Sequence, residues 1–205
     1  LLLSVFGLMA SAFASEESVN LFYFQPQFGL QGPKIFTQGQ TASYSGNMYS
    51  AALYYKIGDD SFSWAPFVSY GMGTFQNAAN SATQTEKLTE NTVTAGVKFY
   101  FGNWFLAATY SWIKFQDTFS GVTTRTISDS TTGLGGIVGY AFNLSNYIAL
   151  ELSGNIQNAN FTPKSGSFSN NAQYVRYGGT VGLSLLLPSS PPRKSYFKTG
   201  IPLER

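Results

Sequence analysis

Chemistry in this chain has to be done with few reactive groups. Among 205 residues there are 10 acids and 12 bases, with no His and no Cys. The missing His removes the commonest general base and most zinc and haem ligation. Without Cys there is no thiolate nucleophile, no disulfide framework, no thiolate metal site and no N-terminal cysteine to carry a lipid anchor. Carboxylate pairs remain available for acid–base work: Asp59-Asp60, and Glu86 with Glu90. The first pair falls in a short turn, where Asp serves as a turn former. Glu86 and Glu90 are expected in a long polar connection, solvated. Gly133-Leu134-Gly135-Gly136-Ile137-Val138-Gly139 has the wrong spacing for a dinucleotide loop. Inside a strand its glycines would instead make room for bulky neighbours. No constellation meets the geometric tests for catalysis, so the expectation is no catalytic residue, no cofactor and no metal.

The elements that must position the remaining charges show a period of two. From Leu21 to Leu30 one face is Phe22, Phe24, Pro26, Phe28 and Leu30, and the other holds Gln25, Gln27 and Gly29. The same alternation recurs over Tyr49–Ile57, Phe62–Met72, Thr92–Phe101, Trp104–Trp112, Thr131–Phe142, Ile148–Gln157 and Val175–Leu187. That predicts eight strands. Short connections at Gly58–Ser61, Gly102–Asn103 and Asn143–Asn146 alternate with long ones at Gln31–Ser43, Phe75–Asn91, Gln116–Ser130 and Asn158–Asn171. Short turns on one side and long loops on the other are the pattern of transmembrane barrels. Outward aromatics fall in two groups, with Tyr55, Trp64, Phe101, Trp104 and Phe142 near the short turns. Tyr49, Tyr70, Tyr110, Trp112 and Tyr177 lie near the long loops. Two such belts match the interfaces of a bilayer.

Composition agrees with this reading. Charged residues are 11% of the chain, against about a quarter in soluble domains. Aromatics reach 17%, with 21 Gly. A soluble barrel with an apolar interior is the rival architecture, but the polar faces here are built of Gly, Ala, Ser and Thr. Those residues fit the crowded interior of a narrow barrel better than a solvated surface. The fold class is therefore all-β, a closed antiparallel eight-stranded transmembrane β-barrel. Pro26 and Pro66 fall within strands on the outward register, where a missing donor predicts a local bulge, or else a gap where something docks.

On the inward faces the alternation places four charges: Lys56, Lys98, Glu151 and Arg176. One acid stands among three bases. Buried charge persists when paired and hydrogen-bonded, so Glu151 is expected to bond at least one of these bases across the lumen. Such a cluster would act as an interior strut fixing register and closing the pore, rather than as an ion path.

The ends carry their own signals. Leu1 to Ala14 is an apolar run ending Ala12-Phe13-Ala14, which reads as a secretory signal remnant cleaved after Ala14. The barrel then occupies 15–187. Net charge is +2, and four bases oppose Glu204 in the last eighteen residues, which leaves the rest at −1. A basic body that would attract nucleic acid is absent. The tail, 188–205, opens with a Pro/Ser spacer that cannot extend a strand. It then mixes Arg193, Lys194 and Lys198 with Tyr196, Phe197, Ile201 and Leu203. This periplasmic, Pro-rich basic tail reads either as a disordered extension or as a peptide that would dock a periplasmic or membrane protein partner through its aromatic and aliphatic anchors.

The final strand reads Thr180-Val181-Gly182-Leu183-Ser184-Leu185-Leu186-Leu187. With the strand pattern over 20–187, this resembles the small eight-stranded outer-membrane proteins of the OmpX, OmpA-barrel and OmpW type. The resemblance implies that Thr180, Gly182, Leu185 and Leu187 form the signal read by the barrel-assembly machinery. Leu187 stands where that family usually has an aromatic, and eighteen residues follow it. The enzymes built on small outer-membrane barrels rely on His, so nothing of their sites carries over. The expected role is a non-enzymatic outer-membrane protein in contact with outer-membrane lipid, with both termini periplasmic. It would display loops outside and a tail inside. The alternatives are a narrow channel or lateral-opening transporter for small apolar solutes, as the OmpW resemblance implies, and a loop-borne adhesin.

Overall fold

In the computed structural model the chain forms eight antiparallel strands that close on themselves. The structure describes residues 21–187 apart from 38–39, 59–60, 80, 82–84, 121–124, 146 and 163–171. The Leu1–Ala14 signal, the Asp59-Asp60 pair and the 188–205 tail therefore lie outside the described residues. In chain order the strands are β1 Leu21–Thr37, β2 Gln40–Gly58, β3 Phe62–Asn77 and β4 Thr85–Phe101. They continue as β5 Trp104–Ser120, β6 Arg125–Ser145, β7 Ile148–Phe161 and β8 Ala172–Leu187. Each strand pairs with its sequence neighbours, and β1 pairs with β8 to close the wall.

Alternation decides which face points where. Leu30, Tyr49, Trp104 and Leu134 are each about 60% exposed or more, while Gln25, Ser63, Thr92, Ser111 and Ser184 are buried. A surface this apolar over a polar interior is the wall of a membrane barrel, since closure satisfies the backbone and lipid solvates the side chains. Small residues inside leave space for large ones. A Cβ on Gly96 would meet the Phe67 ring at 2.7 Å, and one on Gly139 would meet the Phe105 ring at 2.3 Å. Of the glycines expected to make room for bulky neighbours, Gly139 does so, whereas a Cβ on Gly136 would meet nothing nearer than 3.7 Å. Tight turns at the short-connection end use Gly58 at φ 128° and Gly102 at φ 59°, in the region where glycine lacks the Cβ penalty.

Two expectations need correction. Three of the four long connections are mostly strand: β1 and β2 leave only 38–39 between them, and β4 begins at Thr85 rather than near residue 92. Polar alternation continues the ladder beyond the apolar band, because β-pairing needs no lipid contact. Second, neither Pro26 nor Pro66 sits at a bulge. The β1–β8 ladder stops at Phe24↔Leu185 and resumes at Gln27↔Gly182 in the same register. The β2–β3 ladder likewise skips from Tyr54↔Phe67 to Ile57↔Trp64. Each proline removes one donor, and the rungs on either side hold the register. A register shift lies elsewhere, between Asn143 and Ser145. The β5–β6 pairing continues as far as Phe119↔Arg125.

Candidate functional site

The functional candidates are the charges inside the barrel, held there by parity along each strand. Lys98 on β4 and Glu151 on β7 meet across the lumen at 2.7 Å, 2% and 4% exposed. Glu151 is also bonded by Tyr100 at 3.1 Å, Ser184 at 3.0 Å and Tyr54 at 3.4 Å. Lys98 donates to Gln25 at 3.0 Å and lies about 5 Å from the Tyr54 and Phe105 rings. Both members of this buried pair thus have further partners besides each other, the condition for such a pair to persist. Lys56 stands over the Tyr100 ring at 4.9 Å. Around these groups pack Tyr54, Ala65, Phe67, Tyr100, Phe105 and Ala107, which fill the short-turn end.

Arg176 does not join that cluster. It pairs with Glu90, fully buried on β4, which also accepts from the Tyr174 and Thr92 hydroxyls. A second Arg176 nitrogen donates to the Gln157 amide oxygen at 2.6 Å. The expectation that four charges share one cluster, and that Glu90 is solvated in a loop, is therefore overturned. The cause is the early start of β4. Glu86, Leu88, Glu90, Thr92, Thr94, Gly96 and Lys98 share one parity, so the acid faces inward as Lys98 does. That parity was the signal available in the sequence. Eight residues separate Glu90 from Lys98, roughly 26 Å along the strand, so the lumen has two ion-pair layers and not one.

Beyond Arg176 the interior turns apolar, with Tyr44, Phe75, Leu88, Ile113, Phe115, Ala159 and Tyr174 packed together. Above them the Tyr44 hydroxyl donates to Glu86 at 2.7 Å and to Asp117 at 3.3 Å, and Asn77 donates to Glu86. This group lies past the aromatic belt of Tyr49 and Trp112. Burial, and then the neighbouring Glu86 carboxylate, push the Asp117 carboxyl up to about 7, with the Tyr44 bond acting in the opposite direction. Burial and the same two carboxylates raise the Tyr44 hydroxyl above its ordinary value. Neither Glu86 nor Asp117 was expected to be structural.

Among the described residues no group of three or more His, Cys, Asp or Glu side chains is placed to hold a metal. The two ion pairs cross the lumen. Of the last-strand residues, Thr180 accepts from Asn155 at 2.9 Å inside the barrel, and Gly182 leaves room for the Gln25 side chain. Leu185 and Leu187 lie on the outward parity, opposite Phe24 and Phe22. The tail residues Arg193, Lys194, Tyr196, Phe197, Lys198, Ile201 and Leu203 lie outside the described residues.

No protein-family model matches the chain, and no curated protein matches it. Solved structures do. Ail, the attachment invasion locus protein of Yersinia pestis, matches at TM-score 0.51 and 15% identity over 80% of this chain and 98% of that one. The same protein in complex with the heparin analogue sucrose octasulfate gives 0.52, again at 15% identity, over 80% and 99%. Neisserial surface protein A gives 0.49 at 14% identity over 81% and 97%. Closed topology, inverted polarity and the match to Ail together show the fold of the small eight-stranded outer-membrane β-barrels.

Proposed function

We propose that this chain is a non-enzymatic outer-membrane barrel that works through its exposed ends and not through its lumen. The observation that carries the reading is the two buried ion pairs, Lys98–Glu151 and Arg176–Glu90, crossing the lumen in two layers. An ion path would need weakly held, solvated charges. A lateral opening finds no support either. All neighbouring strands are paired, and the rungs missing near Pro26 are bridged by Gln25 donating to Ser184 at 2.9 Å.

In this reading the short turns and both termini face the periplasm, and the longer hairpins stand outside, as is general for such barrels. The assembly machinery reads Thr180, Gly182, Leu185 and Leu187 during insertion. The tail docks a periplasmic or membrane partner. A surface role for the hairpins is favoured by the β5–β6 extension, whose ladder continues to Phe119↔Arg125. The Thr131 hydroxyl bond to the Asn160 carbonyl tethers the base of that extension. Ail is named for attachment and was solved with a heparin analogue, which makes adhesion the second reading.

Native mass spectrometry of the complex gently extracted from its own membrane, with and without residues 188–205, tests the proposal. A companion that leaves with the tail supports a partner-docking role. A lone barrel in both preparations removes the tail function and leaves the hairpins. A stable single-channel conductance from the intact protein in planar bilayers would overturn the closed-lumen reading.

A further inference from the structure

Between the two ion-pair layers the lumen holds a polar chamber of about 80 Å³. Three of the residues lining it each carry one buried polar atom with no hydrogen-bond partner among the described residues: Gln31 Oε1, Gln157 Nε2 and Arg176 Nε. All three side chains are more than nine-tenths buried, at 6%, 4% and 7% exposure. They are also neighbours in the wall. Gln157 sits opposite Arg176 in the β7–β8 ladder, and Gln31 sits opposite Gly178, two residues along β8. Side chains so related on one face lie within reach of a shared small ligand.

The protein sets the polarity of each atom. The Gln157 amide oxygen is already taken by an Arg176 nitrogen at 2.6 Å, so its Nε2 presents donor protons. Arg176 Nε is a donor with no other state. Gln31 Nε2 faces the Thr180 hydroxyl at 3.4 Å, which leaves Oε1 as the acceptor. The guest must therefore accept two hydrogen bonds and donate one. A halide accepts the two but faces Gln31 Oε1, with the Glu90 carboxylate on the same Arg176. A metal cation or ammonium meets two donors. A neutral hydroxyl oxygen satisfies all three, and buried polar atoms of this kind cost free energy while unpaired. The chamber exceeds the roughly 10–15 Å³ that a single water requires.

We infer that the structure builds an internal hydroxyl-binding site between Gln31, Gln157 and Arg176, and that its ligand is a long-lived water. The site completes Arg176, whose three nitrogens then bond Glu90, Gln157 and the water. It makes the space between the two seals a hydrated compartment. This inference stands independently of what the hairpins or the tail bind.

The test is side-chain ¹⁵N NMR of the intact barrel in deuterated detergent, reading rotating-frame cross-relaxation with water at Arg176 Nε–H and Gln157 Nε2–H. Direct dipolar cross-peaks of the sign for bound water at both groups are expected in the wild type. Sharp, assigned N–H signals with no such cross-peak overturn the site. Adding ethylene glycol separates water from an alcohol hydroxyl: cross-peaks to its methylene protons, replacing those to water, would overturn the water assignment. In Gln31→Met the water cross-peak at Arg176 should fall several-fold, and an undiminished peak would remove Gln31 from the site.

Discussion

At the scale of single residues, the interior is governed by the rule that a buried charge must find its counter-charge. Breaking one partner of a buried pair typically costs about 3–5 kcal/mol, whereas replacing both restores much of the loss. Glu151→Gln should therefore lower the urea midpoint in detergent strongly, and Lys98→Met with Glu151→Gln should recover most of it. Glu90→Gln should do comparable damage through Arg176, which a solvated loop residue would not. The Asp117 carboxyl behaves differently because it is held above its ordinary range. The folded state binds its proton more tightly than the unfolded chain, whose reference value is 3.8. Its stabilising contribution is thus complete below about pH 4 and is lost as pH rises through about 7. Amide exchange near Tyr44, Glu86 and Asp117, corrected for intrinsic rates, should accelerate as pH rises from about 4 to about 7 and level off above that. Asp117→Asn should flatten that dependence, and an unchanged profile would assign it to another group.

At the scale of elements, each strand is one ladder carrying two environments. Ala108 lies midway between Trp104 and Trp112 on the outward parity of β5 and pairs with Val97 and Gly136. Arginine on the lipid face costs roughly 2–4 kcal/mol at the midplane and about 0–1 near the interface. Ala108→Arg should accordingly destabilise the barrel in lipid vesicles far more than Trp112→Arg, once the lost Trp112 contact with Tyr110 is set by a Trp112→Ala control. Equal penalties would mean that the aromatic belts do not mark the membrane boundaries. Inside, glycine and aromatic residues form complementary pairs. Gly139→Val would drive a methyl-bearing carbon into Phe105 and the Leu152 carbonyl, and overpacking of this kind costs typically about 1–3 kcal/mol. Phe105→Ala in the same chain should relieve part of that strain, read as a partial return of the unfolding midpoint.

Over the whole molecule, two ion-pair layers lie in series with a hydrated chamber between them. Removing one layer leaves the other in place. Glu151→Gln and Glu90→Gln should each remain without a stable conductance in planar bilayers, even while each lowers stability. A large steady conductance from either single variant would show that one layer alone closes the pore. Since the layers belong to different strand levels, their effects on unfolding should be close to additive, as expected for distant sites.

Alternation alone determined the number of strands, their antiparallel order, the inverted polarity and the inward placement of Lys98, Glu151 and Arg176. Those follow from a local rule, that successive side chains point to opposite faces, and a local rule is legible in one dimension. The sequence equally contained the parity that turns Glu90 inward. It was obscured because polar residues on both faces of a strand look like a loop until a neighbouring strand supplies the ladder. Which acid meets which base was decided only by the tertiary structure. Barrel closure sets the stagger between strands, and that stagger carried Glu151 to Lys98 while leaving Arg176 to Glu90. The chamber between them, and the three unpartnered atoms that line it, arise from the same closure and have no trace in any single strand.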